Sequence, residues 1–506
     1  MNLDCTFVLT SILFVTSSTL VASQTVTFTY RSAKDGDVTL TYEERNASGC
    51  IYDQRIKTLT CTSNVSYKNV TDVWTNEPAS IKYLKMNCLQ DGGYRNQCFC
   101  KNGTTTMQQF EVFRPCQFYR LDFDVLANLT SLEALDLSYN EIEIIQNEAL
   151  AGLTNLKYVA FHNNRIKTLP TGLFCGSPNL EYLGIGNNKL DSYPYRSLFC
   201  KSKLRIRAFE LQNCELTTIP DNALDLLPSL DRLDLSFNRL ATIQKRAFSG
   251  GEALMELNLS NCNISYLFPY FCDYLSKMKT LYLQNNNFNN FDFEEIDNCT
   301  ALNLLNISGN NLINVTGLGV GLNSLTHVDF SFNKIANLKT TFDGLSALQE
   351  LHLNNNDIKQ INIGQFNGAS SLQHLKLSNN LISDISNFST AFTTKTLKGI
   401  HLSKNMISSI PYGAFTNMGA LDYLDLSYNR IAQIKPASFS GMTSLKMLTH
   451  YMYKNIKMQC LVEMNKYCLY KWYMHFKLDC YFQVRICKHI LFMSCLSHRR
   501  TPLSCK

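Results

Sequence analysis

LDYLDLSYN, residues Leu421 to Asn429, has two near-copies in the same chain: LDRLDLSFN at Leu230 to Asn238 and LEALDLSYN at Leu132 to Asn140. The shared frame is L-x-x-L-x-L-x-x-N. Its ninth place holds Asn at 140, 164, 188, 238, 286, 310, 333, 356, 380, 405 and 429, and Cys at 214 and 262. These thirteen copies are mostly 24 residues apart. Leucines at places four and six of a strand point to one side, because side chains alternate along it. A single such strand cannot bury that side, but a parallel stack of equivalent strands buries all of them in one continuous core. An Asn where the chain turns away can satisfy backbone groups of adjacent turns, which cost about 1–3 kcal/mol each if buried without a partner.

The remainder of each copy fits the same stack. Two residues past the ninth place comes an apolar residue every time, from Ile142 and Ile166 to Ile407 and Ile431. Five past it stands another in most copies, such as Ile145, Ile219, Ile361 and Ile434. Ten past it Phe recurs, at Phe174, Phe248, Phe366, Phe415 and Phe439. These columns predict the outer half of the core.

The frame, its period and the recurrent Phe resemble the typical 24-residue extracellular leucine-rich repeat class. The resemblance runs from about Ile81 to Leu448 and extends to ectodomains of Toll and Toll-like receptors, Slit, chaoptin and secreted arthropod immune repeat proteins. It implies an α/β solenoid, a horseshoe with parallel strands on the concave face and short irregular or helical segments outside. It also implies a binding role, often in innate immunity or adhesion, and Cys as the accepted substitute for the ninth-place Asn. No cytoplasmic signalling domain is present, and no ligand-reading residues carry over, since the outward strand places differ among members.

Residues 1–23 read as a secretory signal peptide, with an apolar run from Phe7 to Val21 and small residues before Gln24. Secretion agrees with 19 Cys and with eleven N-glycosylation sequons, at Asn46, Asn64, Asn69, Asn102, Asn128, Asn258, Asn263, Asn298, Asn306, Asn314 and Asn387. Residues 24–80 are expected to form a β-rich cap with a Cys50–Cys61 disulfide over the open end of the stack. Residues 81–448 then hold about fifteen repeats, counting two degenerate copies around Leu84 and Phe110. Cys175 and Cys200 fall at similar convex places in consecutive copies, and Cys272 and Cys299 nearly do. Each pair is either a bridge between turns or two free buried thiols.

The outward places three, five and seven hold all five His of the array: His162, His327, His352, His374 and His401. The last four zigzag across adjacent strands, roughly 5 Å apart. They stand with Tyr282 and Tyr423 as candidate ligand-binding residues. Three readings remain open: exposed strand positions that happen to hold His, a pH-tuned contact surface, or a zinc site. We assign no metal and no cofactor. The face is mixed in charge, which argues against nucleic acid, whose recognition wants a basic stripe. His327, Asp329 and Ser331 mimic a catalytic triad, but Asp sits in the middle of a row with neighbours about 7 Å apart, so no catalytic residue is assigned.

After Leu448 the frame breaks. His450 to Lys506 carries ten Lys/Arg against two Asp/Glu and six Cys, so the net charge of +6 belongs to this tail. Residues 449–506 read as a diverged disulfide cap, as a basic tail for membranes or heparin, or as a gene model run past an exon end. No apolar run there is long enough to span a bilayer. The expected protein is secreted and non-enzymatic. It is expected to recognise an extracellular protein or a microbial ligand; the alternatives are an adhesive or matrix role, through a second copy of itself, and the ectodomain fragment of a signalling receptor.

Overall fold

The structure is a computed structural model. It describes residues 120–122, 126, 130–194, 204–269, 271–317, 319–338, 342–392, 395–434 and 438–449 with their side chains, and the backbone alone of strands at 25–32, 36–43, 50–53, 58–61, 83–86, 450–452, 469–474 and 480–485. The signal peptide, Asn46, Asn64, Asn69, Asn102, Asn128, Cys200 and the degenerate copy around Phe110 lie outside the described residues. The chain divides into two compact units, Met1–Cys214 and Glu215–Lys506.

The first unit opens with an antiparallel hairpin of β1 (Thr25–Ser32) and β2 (Gly36–Glu43). A second hairpin joins β3 (Cys50–Asp53) to β4 (Thr58–Cys61), and its register sets the backbone of Cys50 opposite that of Cys61. From β4 the pairing becomes parallel, through β5 (Tyr83–Met86) directly to β7 (Ala134–Asp136). It continues through β9 (Tyr158–Ala160) and β10 (Tyr182–Gly184) to β11 (Ala208–Glu210). A separate parallel pair, β6 (Arg120–Leu121) and β8 (Ile144–Ile145), closes the other side of the first turns.

In the second unit one parallel sheet runs through β12 (Arg232–Asp234), β13 (Glu256–Asn258), β14 (Thr280–Tyr282), β16 (Leu304–Asn306), β18 (His327–Asp329), β19 (Glu350–His352), β20 (His374–Lys376), β21 (Gly399–His401), β22 (Tyr423–Asp425) and β23 (Met447–Met452). Equal places of the frame pair throughout, so Leu424 lies opposite both Ile400 and Leu448. On the outer side β15 (Asn290–Asp292) pairs with β17 (Asn314–Thr316). In the tail, β24 (Leu469–Met474) and β25 (Cys480–Arg485) pair antiparallel with each other, and β25 pairs with β23.

The solenoid with parallel strands is thus as the frame predicts. Its outer segments take the irregular form of the two that the resemblance implied. Among the described residues they are turns, with short 3-10 helices at Phe293–Glu295 and Phe388–Thr390 and no α-helix. There the backbone bonds along tight turns, as in Asn367 N–H to Gly364 O at 3.1 Å, and in places to the neighbouring copy, as in Phe366 N–H to Ala391 O at 2.9 Å and Asn222 N–H to Arg246 O at 2.8 Å.

The leucines at places one, four and six are buried, as are the apolar residues after the ninth place and the recurrent Phe. The ninth-place Asn forms a ladder. Asn380 Nδ2 donates to Leu353 O of the preceding copy at 2.9 Å and to Leu377 O of its own at 3.0 Å, while its Oδ1 accepts from Ile358 N at 3.0 Å. Asn164, Asn286, Asn356, Asn405 and Asn429 repeat this pattern in their own copies. Cys262 keeps only the donor half, its thiol reaching Leu235 O at 3.1 Å. At Cys214 the N–H of Leu190 turns to the Cys214 backbone carbonyl at 3.1 Å. Burial pushes both thiols up to about 12, which suits thiols that act as weak donors in the core. Cys272 and Cys299 form a disulfide, 27 residues apart, between the outer segments of consecutive turns. Cys175 is also disulfide-bonded.

Candidate ligand-binding face

In nearly every strand triplet the middle residue is buried and the first and third point outward. In the second unit this places His327, Glu350, His374, Gly399 and Tyr423 side by side in one row, and Asp329, His352, Lys376, His401 and Asp425 in the next. Four of the expected histidines and Tyr423 therefore share one patch.

Within it the imidazoles pair with carboxylates of the adjacent strand and, for His352 with Glu350, of their own. His352 Nδ1 lies 3.5 Å from Asp329 Oδ2 and its Nε2 lies 3.4 Å from Glu350 Oε2. The other oxygen of Glu350 is 3.8 Å from His327 Nε2, and His327 Nδ1 contacts Thr326 Oγ1 at 2.7 Å. Burial would raise the Asp329 carboxyl, but hydrogen bonds from His352 and Ser331 outweigh it and hold this group below its usual range. This carboxylate also spans Ser331 N and His352, so the His327–Asp329–Ser331 row has no relay geometry. His401 packs its ring 4.7 Å from that of Tyr423, tilted by 40°. Its pKa is pressed down first by burial and further by Lys376, His374 and His352, with Asp425 opposing. Gly399 leaves room for a neighbour, since a Cβ there would stand 2.8 Å from His374 Nδ1.

These shifts give a testable pH dependence. A histidine whose pKa falls on folding contributes stability above its unfolded value of about 6.5, and that contribution is lost as pH drops through the lower folded value. Asp329, also lowered, loses its contribution further into acid. Burial raises the Glu295 carboxyl to about 7, so its protonation acts in the opposite sense over this range. The His401 contribution is therefore read as a difference: from pH 7 to pH 5 His401→Gln is expected to gain melting temperature relative to wild type. Parallel curves for the two proteins, by circular dichroism, would remove His401 from the account.

Tyr282 does not join the patch. It lies two strands before β18, between Asn258 and Asn306 in the register. Burial and then Glu256 raise its hydroxyl pKa. Among the described residues no group of three or more His, Cys, Asp or Glu is placed to hold a metal ion.

The first unit carries a second polar cluster, around His162 and outside the candidate binding residues. Tyr158 and Tyr182 stack at 4.3 Å with planes 5° apart. His162 Nε2 lies 3.0 Å from Tyr182 Oη and 3.4 Å from Glu210 Oε2. Tyrosines at place three of consecutive copies are directly opposed cross-strand neighbours, and that spacing was the available signal. A further feature is place eight, where every clear copy has a positive φ, between 52° and 64°. Asn or Gly suits that conformation, yet Tyr139, Phe237, Phe332 and Tyr428 occupy it with largely exposed rings, 61% for Phe332. Each is a bulky side chain kept in a disfavoured conformation with its ring in solvent, as contact surfaces often are.

A stack of parallel strands offering rigid, outward, chemically varied side chains, with no enzymatic family indicated by its matches, is a repeat scaffold of the binding type. Leucine-rich repeat models match residues 205–264, 252–312, 346–390 and 395–449, and a BspA-type leucine-rich repeat model matches residues 96–205. Together they cover more than half of the chain, which belongs to the leucine-rich repeat proteins. It is 29% identical over 151 residues to osteomodulin of Bos taurus, covering 29% of this chain and 34% of that protein. It is 30% identical over 142 residues to lumican of Homo sapiens, covering 28% and 33%. It is 28% identical over 173 residues to chaoptin of Drosophila melanogaster, covering 34% and 12%. The matches thus span about a third or less of these relatives. Among solved structures it resembles a leucine-rich repeat protein of Leptospira interrogans, with TM-score 0.58, 22% identity, and 76% and 86% of the two chains covered. It also resembles the Toll–Spatzle complex of Drosophila, with TM-score 0.61, 18% identity, and 81% and 52% covered. At these identities the likeness is one of fold. Among the described residues no helix is long and apolar enough to cross a membrane.

Proposed function

We propose that this chain is a secreted, glycosylated, non-enzymatic binding protein that recognises an extracellular protein or microbial ligand through the second unit's open sheet face. The observation that carries the reading is the patch from His327 to Tyr423. Elsewhere on the same sheet the outward rows include Thr280, Leu304, Asn258 and Asn306, whereas here ionisable side chains crowd together. Rigid strands hold them half-exposed, in pairs across strands and, at Glu350 and His352, along one strand. Such mixed charge with an aromatic anchor suits a protein surface. A role in defence draws on the resemblance to the Toll–Spatzle structure, described as a hub in development and innate immunity. Sequons and abundant Cys support secretion.

The test compares proteins captured from extracellular fluid by the purified chain and by a His374→Ala/Tyr423→Ala variant. Partners retained by the first and reduced about tenfold or more with the second support the reading, since loss of one central anchor typically costs more than 1 kcal/mol. An identical capture profile would place recognition elsewhere. Capture of the chain itself would favour adhesion through a second copy.

A further inference from the structure

Place five of the frame is Asp in four copies, at 136, 234, 329 and 425, and the Asp has a local task. The carboxylates of Asp234, Asp329 and Asp425 accept the backbone N–H of the serine two residues on, at 2.8, 2.8 and 2.9 Å. Asn258 and Asn306 hold the same place and keep the same bond, accepting from Ser260 N at 3.1 Å and Ser308 N at 3.0 Å. Each adds a bond from that serine's hydroxyl, at 2.8 and 2.7 Å. A backbone N–H can only donate, so the amide atom that meets it is the oxygen. Both oxygens are therefore committed to the strand's own turn. Nδ2, the atom that bears sugar in Asn-x-Ser, is left with no partner among the described residues and lies on the outward face.

Asn298 is arranged in the opposite way. Its Nδ2 donates to Asp273 Oδ1 at 2.6 Å, its Oδ1 is buried, and the next residue, Cys299, is tied to Cys272.

We propose that two N-linked glycans stand on the open sheet face, at Asn258 and Asn306, and cover Tyr282 between them. The register places these residues on either side of Tyr282, about 10 Å apart at the usual strand spacing. Branched sugars at both positions close this stretch. The face from Asp329 onward remains the part a partner reaches. The inference rests on the reading that the chain passes through a secretory compartment.

The test uses the full chain made in a eukaryotic secretory host. Enzymatic release of N-glycans in heavy-oxygen water, followed by peptide mapping, marks each occupied site. Marks are expected at Asn258 and Asn306, at the exposed Asn263 and Asn387, and not at Asn298. Marks at Asn263 and Asn387 with Asn258 and Asn306 bare would overturn the inference and leave secretion standing. An entirely unmarked chain overturns both. A second variant, Asn258→Asp/Asn306→Asp, restores the Asp of the other copies, so the serine bonds and the fold survive while the sugars go. Hydroxyl-radical oxidation of Tyr282 is expected to rise several-fold in this variant, with Tyr423 unchanged. Equal Tyr282 reactivity in the two proteins would show that no glycan covers it.

Discussion

Asn380→Ala is expected to destabilise the second unit by about 2–4 kcal/mol, and Asn380→Cys by about half of that. Most of the cost follows from the one ladder partner that loses its only bond, and the difference between the variants from the two carbonyls that are left with one donor. Leu353 O accepts from Asn356 Nδ2 at 3.1 Å as well as from Asn380, and Leu377 O accepts from Asn405 Nδ2 at 2.9 Å as well. Both carbonyls keep one donor when the side chain is cut back. Ile358 N–H has Asn380 Oδ1 as its acceptor and is orphaned inside the core. One orphaned buried donor costs about 1–3 kcal/mol, and each weakened bond adds about 0.5–1 kcal/mol. A cysteine restores donation to the carbonyls, as Cys262 does toward Leu235 O and Ser260 O at 3.1 and 3.3 Å. Urea unfolding of the purified chain and both variants gives the ranking. Alanine and cysteine costing the same would mean that the ladder carbonyls contribute nothing.

That ladder also marks how far the residues alone could be read. Leu, Asn and Phe at fixed places were enough for the parallel stack, because a repeated pattern can bury its apolar side only against its own copies. The lateral pairing of His352 with Asp329 and of His327 with Glu350 reflects equal places lying opposite each other, as the aligned copies imply. What periodicity does not carry is the outer path. Its form is set by backbone bonds between turns, such as Gly364 N–H to Thr390 O at 2.9 Å, and apolar spacing is silent about them. Among the described residues that path is turns with 3-10 helices at Phe293–Glu295 and Phe388–Thr390, where the resemblance left irregular and helical forms open. The left-handed place eight was visible in the run of Asn at 163, 187, 213, 261, 285, 355 and 379, a residue that tolerates such φ. The separation of Tyr282 from the histidines was visible too, in the copy between them, residues 302–310. The amide orientation at Asn258 and Asn306 was not, because it depends on a serine N–H whose direction only the coordinates supply.

The largest single loss is expected from Phe366→Ala, about 3–5 kcal/mol by urea unfolding, the usual range for a fully buried Phe. Phe366 is 1% exposed. Its ring stacks on Phe342 at 5.7 Å and on Phe392 at 4.9 Å, with planes within 21° and 15°. Those two rings lead onward, Phe342 to Phe293 at 6.5 Å and Phe392 to Phe388 at 6.5 Å, then Phe388 to Phe415 at 6.3 Å and Phe415 to Phe439 at 6.3 Å. One aromatic column therefore ties the outer segments of successive copies together. Solenoid stability resides largely in such nearest-neighbour interfaces, so removing one ring weakens two of them at once. Phe366→Leu separates packing from stacking. It keeps most of the volume and forgoes aromatic contacts worth about 0.5–1.5 kcal/mol each, so its cost should fall between wild type and alanine. If leucine proves as damaging as alanine, the column acts through ring geometry rather than buried volume. If alanine costs under about 1 kcal/mol, the outer core is not where adjacent copies are joined, and the inner leucines with the Asn ladder must hold the stack alone.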